Sequence, residues 1–257
     1  MLLVLLGVSA AGCGSSPVRH AASARPRARL HALVHYVRDH DTPVPILEYH
    51  VIGFHALGSS LEGLYVTPAA FRDQVAWLAR NHWHTVSLGA VARFWRRGVA
   101  LPRRPIVLSF DDGYPGDWRY ALPILRAHRF AGVLNLQIGN LVPKRVRELI
   151  RAGWEIDAHT FTHPDLRRVD ASQLRREVTG ARHWLQRTYG ISVPAFCYPF
   201  GLYDARTVAA VRRARYLVAE TEHEGWASPR QGLLELSRIR ITPTTGVGGL
   251  AAWLRAA

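Results

Sequence analysis

The sequence predicts an α/β fold in which a parallel sheet closes, or nearly closes, into a barrel. Three observations lead there. From Pro43 onward, short apolar runs alternate with amphipathic stretches, the pattern that parallel βαβ units require. About seven such units recur, which suits a closed barrel better than an open sheet. Polar residues with chemical potential stand directly after several apolar runs, at the expected carboxyl ends of strands, where these folds collect ligands. At 257 residues, with 48% hydrophobic and 20% charged residues, the chain can bury a sizeable core.

The amino terminus reads differently. Leu2 to Val8 is an apolar run followed by Ser9-Ala10-Ala11-Gly12 and Cys13. That is the pattern of an export signal, too short to cross a membrane as a helix. Cysteine after Ala10-Ala11-Gly12 is similar to a bacterial lipoprotein processing site. Residues 1–13 are therefore expected to be a signal whose Cys13 carries a lipid anchor. The protein would then sit at the cell membrane facing the envelope, or be secreted. Residues 14–42 are Ala/Arg-rich without periodicity and read as a flexible tether. His31, His35 and His40 have no carboxylate or cysteine pattern around them and read as tail histidines.

The formal net charge is +14, and Lys144 is the only lysine among the basic residues. Such a balance favours anionic surroundings. No nucleic-acid module and no interleaving of basic with aromatic residues is present, so nucleic acid is not an expected partner. Cys13 and Cys197 lie in different kinds of segment and suggest no disulfide.

Within the expected domain, residues 43–257, Val44 to Ile52 reads as a first strand carrying Glu48-Tyr49-His50. Thr67 caps a helix with Pro68 at its first position, and Phe71, Val75 and Leu78 form its apolar face. A short strand (84–88) and a helix around Phe94 and Trp95 follow. Ile106 to Phe110 is a strand that ends in Asp111-Asp112-Gly113. After it come helix 117–128, strand 132–138, helix 143–152, strand 154–158 and a long amphipathic helix, 171–189. Strand 195–198, helix 204–214, strand 216–221, strand 234–241 and a short helix near Trp253 complete the order.

Two constellations carry chemistry. Asp111 and Asp112 place two carboxylates at one strand end, where burial is costly unless something positive compensates it. His159-Thr160-Phe161-Thr162-His163-Pro164 follows a second strand. Pro164 disfavours helix at His163, so both histidines belong to a strand end and its loop. An aspartate with two histidines and an open position is a plausible catalytic zinc set. A third strand end, Cys197-Tyr198-Pro199-Phe200-Gly201, shapes a tight loop whose backbone N–H groups could face the site.

These three stretches, in this order, resemble the polysaccharide deacetylases, carbohydrate esterase family four, over roughly Pro43 to Ile241. Ser109-Phe110-Asp111-Asp112-Gly113 matches the family's first motif and His159 to Pro164 its second. The resemblance implies a distorted (β/α) barrel and metal-dependent hydrolysis of an N-acetyl group on an amino sugar. It makes Asp112, His159 and His163 the ligands of a divalent metal: zinc foremost, with cobalt, nickel or iron as alternatives. Asp111 becomes the general base on the attacking water. The N–H of Phe200 would assist the oxyanion, with Tyr198, Pro199 and Gly201 forming the groove wall. Cys197 stands where the family often has an arginine that orients the base, leaving Arg238 and Arg240 as candidates for its place. The usual late histidine is absent. Leu47-Glu48-Tyr49-His50 looks like the element that the poly-N-acetylglucosamine branch carries near the start of its domain, which makes His50 the general acid, with His223 a weaker candidate. Asp157, on the same strand face as His159, is a candidate partner behind a ligand histidine. The implied partner is an N-acetylated polysaccharide and the expected state a monomer. Two other readings remain open: a carbohydrate-binding lipoprotein of this fold without turnover, and a metal hydrolase of another amide or ester.

Overall fold

The computed structural model describes residues 36–55, 62–140 and 142–255. The expected signal, the lipid anchor on Cys13 and most of the expected tether lie outside the described residues. Tyr36–Val37, ahead of the expected boundary at Pro43, pairs antiparallel with Leu101–Pro102.

Parallel strands close into a seven-stranded barrel. They are β1 (Ile46–Tyr49), β2 (Pro105–Asp112), β3 (Val133–Leu136), β4 (Glu155–Ala158), β5 (Ala195–Cys197), β6 (Val218–Glu224) and β7 (Leu236–Arg240). Each pairs with its successor in the chain, and β7 returns to β1 with Ile239 opposite Leu47. The closed ring has no exposed edge and gathers all strand carboxyl ends on one face.

Helices wrap the outside: α1 (Pro68–Arg80), α2 (Leu88–Arg97), α3 (Leu122–Ala127), α4 (Pro143–Arg151), α5 (Ala171–Arg175), α6 (Ala181–Tyr189), α7 (Ala205–Arg213) and α8 (Val247–Trp253). Thr67 accepts from the Ala70 N–H with Pro68 at the first position, as expected, and Ser87 caps α2 in the same way. The main hydrophobic core lies between strands and helices and includes Leu108, Phe110, Ile156, Phe196, Leu185 and Val211.

Two segments depart from the expected regularity. The expected strand 44–52 breaks at His50, after which Val51–Ile52 pairs with Tyr65–Val66 away from the barrel. The expected helix 171–189 is interrupted by a π-turn at Arg176–Gly180, between α5 and α6. Both breaks place a polar side chain at the strands' carboxyl end, as described below.

Candidate active site

The barrel interior is ionic rather than apolar. Arg238 on β7 is 1% exposed, yet its guanidinium reaches three strands. Its Nη1 lies 2.8 Å from Asp111 Oδ2 on β2, its Nη2 3.3 Å from Glu48 Oε2 on β1, and its Nε donates to the Thr221 carbonyl on β6 at 2.8 Å. Asn135 on β3 donates to Asp111 at 2.8 Å and to Glu220 across the barrel at 2.7 Å. Burial would raise the Asp111 carboxyl. Arg238, His50, His159 and the Asn135 bond outweigh it and hold that carboxyl well below the usual range. Asp111 is thus ionised and an acceptor in the resting site. The same network acts oppositely on Glu220, which burial pushes up to about 7 against the pull of Arg238.

Asp112 points the other way. Its Oδ1 is buried without a hydrogen-bond partner and lies 3.5 Å from His159 Nε2 and 3.7 Å from His163 Nε2. The two Nε2 atoms face each other at 3.0 Å. His159 Nδ1 is 2.8 Å from the Cys197 carbonyl, a bond in which Nδ1 donates and Nε2 is left facing Asp112 and His163. Burial first, then His159, pushes His163 down to about 4, so its imidazole is neutral near pH 7. An orphaned carboxylate oxygen and two converging imidazoles form a donor set that fits a divalent transition metal. Two other clusters of potential ligands fit less well. Glu48, His50 and Asp111 already hold Arg238 among them. Cys197, near Asp111 and His159, has its thiol kept protonated by burial.

Backbone strain concentrates here. Asp112, Thr160, His163 and Phe200 all adopt positive φ, between 56° and 73°. Something must hold such a loop, and Glu177 does. Its carboxylate, seated in the π-turn, accepts from the N–H groups of Phe161 (2.7 Å) and Thr162 (3.0 Å) and from the Thr162 hydroxyl (2.9 Å). A second brace is the His163 N–H donating to Thr160 Oγ1 at 2.9 Å.

A cavity of about 420 Å³ opens over these groups, lined by His50, Asp111, Asp112, His159, His163 and Phe200, together with Leu64, Tyr114, Gln137, Glu222 and Arg240. His50 Nε2 stands 3.8 Å from Asp111 Oδ2 and its Nδ1 3.6 Å from Glu48 Oε1. The Phe200 ring is half exposed and packs edge-on to His163, centroids 4.4 Å apart. Gly201 is required behind it, because φ is +63° and a Cβ would meet the Glu222 Cβ at 2.6 Å.

Five sequence expectations are corrected. Tyr198 is not a groove wall: it shares with Phe196 the outer face of β5, is fully buried, and donates to the Leu234 carbonyl at 3.1 Å. Pro199 is likewise buried, so Phe200 alone of that loop lines the cavity. Asp157 does not reach His159, because its carboxylate accepts the Ala195 N–H at 2.8 Å. Arg240 does not touch Asp111. It pairs with Glu48 (2.9 Å) and Glu222 (2.8 Å), and Arg238 occupies the place beside Asp111. His223 lies at the exposed end of β6, outside the cavity lining. Asn135, Glu177 and Glu220 were not anticipated. Asn135, a polar residue inside an apolar strand, carried a signal; Glu177 looked like one more charge on a solvated helix.

The barrel and the cluster define the class: a (β/α)-barrel enzyme with its reactive groups at the strands' carboxyl ends. The family model described as polysaccharide deacetylase matches residues 98–219 of this chain. YxkH of Bacillus subtilis (strain 168) is 26% identical over 214 residues, covering 81% of this chain and 74% of that protein. The poly-beta-1,6-N-acetyl-D-glucosamine N-deacetylase of Escherichia coli (strain K12) is 33% identical over 132 residues, covering 51% of this chain but 19% of its own. The structure of Streptococcus pyogenes deacetylase PplD in complex with acetate superposes with a TM-score of 0.79. It has 27% identity and covers 83% of this chain and 99% of that one.

Proposed function

We propose that the chain removes N-acetyl groups from a polysaccharide containing N-acetylglucosamine, releasing acetate and leaving a free amine. The observation that carries this is the convergence of Asp112, His159 and His163 beside Asp111, which Arg238 and Asn135 hold ionised. In this reading Asp112, His159 and His163 hold a divalent metal, zinc foremost. Such an ion supplies Lewis acidity toward the acetyl oxygen and lowers the pKa of water near it.

The chain's own groups do the rest. Asp111 orients the attacking water and accepts its proton. His50, on the cavity wall 3.8 Å from Asp111, donates a proton to the departing nitrogen as the C–N bond breaks. The Phe200 N–H is the donor assigned to the developing oxyanion. Glu48 and Arg240 fix His50 from behind. The poly-β-1,6-linked polymer is the favoured substrate, supported by the E. coli relative's name and by the early position of His50. The sequence pattern of residues 1–13 supports export and attachment of Cys13 to the membrane.

The competing reading is a glycan-binding protein without turnover. Acetate release from β-1,6-linked N-acetylglucosamine oligomers, with and without added zinc, separates the two. Zinc-dependent release supports hydrolysis. Tight oligomer binding with metal held and no acetate formed would overturn it.

A further inference from the structure

Arginines gather in two clefts on this barrel. Its amino-terminal end, opposite the cavity, carries two arginine-lined clefts. Arg96, Arg212 and Arg215 line one of about 550 Å³, ahead of β6 and β7. Arg126, Arg129 and Arg151 line another of about 650 Å³, ahead of β3 and β4. All six side chains are exposed, and among the described residues none pairs with a carboxylate. Each cleft holds one glutamate. Glu148 is already engaged by Arg145 at 2.8 Å, and Glu235 faces three cations.

Helix dipoles account for part of this, since Arg96, Arg126, Arg151 and Arg212 stand in the last turns of α2, α3, α4 and α7. They do not account for Arg129 and Arg215. These occupy the left-handed position after a helix, at φ 59° and 64°, where glycine is the unstrained choice. Gly98, Gly153 and Gly190 fill the comparable positions after α2, α4 and α6. Arginine is thus held at two turns against backbone preference, on the same end of the barrel.

Apolar side chains share this end. Tyr36 is 55% exposed and Val99 48% exposed, beside the Leu101–Pro102 strand that enters β2. Residues 1–35, with their apolar Leu2–Val8 run, join the domain at Tyr36. A broad cationic face with an interfacial tyrosine and an exposed valine matches an anionic bilayer better than a single polymer strand.

We infer that the amino-terminal end of the barrel docks on anionic lipid headgroups, so that the cavity opens away from the bilayer toward substrate. This holds independently of the reaction proposed above. The full chain is sedimented with phosphatidylcholine vesicles and with mixed phosphatidylcholine–phosphatidylglycerol vesicles. Any contribution of the Leu2–Val8 segment is common to both. The expected result is a preference for the anionic vesicles that falls by about 600-fold in an Arg126→Gln/Arg129→Gly/Arg212→Gln/Arg215→Gly variant, from about fivefold per arginine at a membrane surface. Acetate release from a soluble acetylated substrate stays unchanged. Arg129→Gly/Arg215→Gly alone relieves both strained turns and is expected to lose about a thirtyfold share while remaining folded. Equal binding of the wild type to both vesicles, a preference surviving in both variants, or displacement from the vesicles by polyglutamate at matched charge would overturn the inference. The last outcome would assign the face to an acidic polymer.

Discussion

Arg238 and Asp111 form a buried ion pair across two strands that are not neighbours: Nη1 lies 2.8 Å from Oδ2, and both residues are 1% exposed. The same guanidinium reaches Glu48, which lies behind His50. One cation therefore sets both groups assigned to proton transfer. Removing it leaves buried carboxylates uncompensated, a loss of roughly 3–5 kcal/mol for a broken buried pair. Arg238→Met is expected to lower the unfolding midpoint sharply and to abolish acetate release. Arg238→Lys, which keeps the charge but not the planar fork, is expected to recover stability more than turnover. Thermal unfolding alongside acetate assays checks both.

Glu177 braces the loop that carries His163 without entering the cavity lining. Glu177→Ala is expected to weaken metal binding by about 10–100-fold, the usual effect of losing a group that positions a ligand. Metal titration by calorimetry reads this directly. Unchanged affinity would remove Glu177 from the account.

Glu220 links pH to stability. Its folded-state pKa is raised from 4.5 to about 7, so the folded protein binds more protons than the unfolded chain between those values. The ionised form carries a folding cost that is fully present above pH 7 and is relieved as pH falls toward 4.5. Glu220→Gln mimics the protonated state. It is expected to be more stable than the wild type at pH 8, by on the order of 3 kcal/mol, with the difference vanishing near pH 4.5. Urea unfolding at a series of pH values measures it.

His50 is separable from the metal set, being close to Glu48 and Asp111 but not to Asp112. His50→Gln is expected to lower kcat by roughly 10²–10⁴, the range for loss of a general acid, while metal content stays unchanged. Loss of metal in this variant would move His50 from the proton to the ion.

Much of this arrangement was legible in the chain. The alternation of apolar runs and amphipathic stretches gave a parallel barrel, and Asp111-Asp112 and His159 to His163 fell at strand ends because polar residues interrupting apolar runs mark those ends. Arg238 was readable as one of two candidates but not as the choice. Arg238 and Arg240 are two apart on β7 and share a face, so only distance along the barrel decides which meets Asp111. Tyr198 was misplaced because strand alternation puts Cys197 inside and its neighbours outside, which the loop pattern conceals. Asp157 went wrong for a different reason: a shared strand face does not fix where a short carboxylate finds its donor, and the Ala195 N–H was nearer. Glu177 had no signal, since a π-turn leaves none in the periodicity of a helix.

Asp111→Asn tests the central claim most directly, because it keeps the shape beside Asp112, His159 and His163 while removing the proton acceptor together with the charge that Arg238 pairs with. Metal content and acetate release are measured on the same sample. The account predicts retained metal and a loss of release of at least about a hundredfold, in the range of lost general-base catalysis. Full activity with metal retained would contradict it.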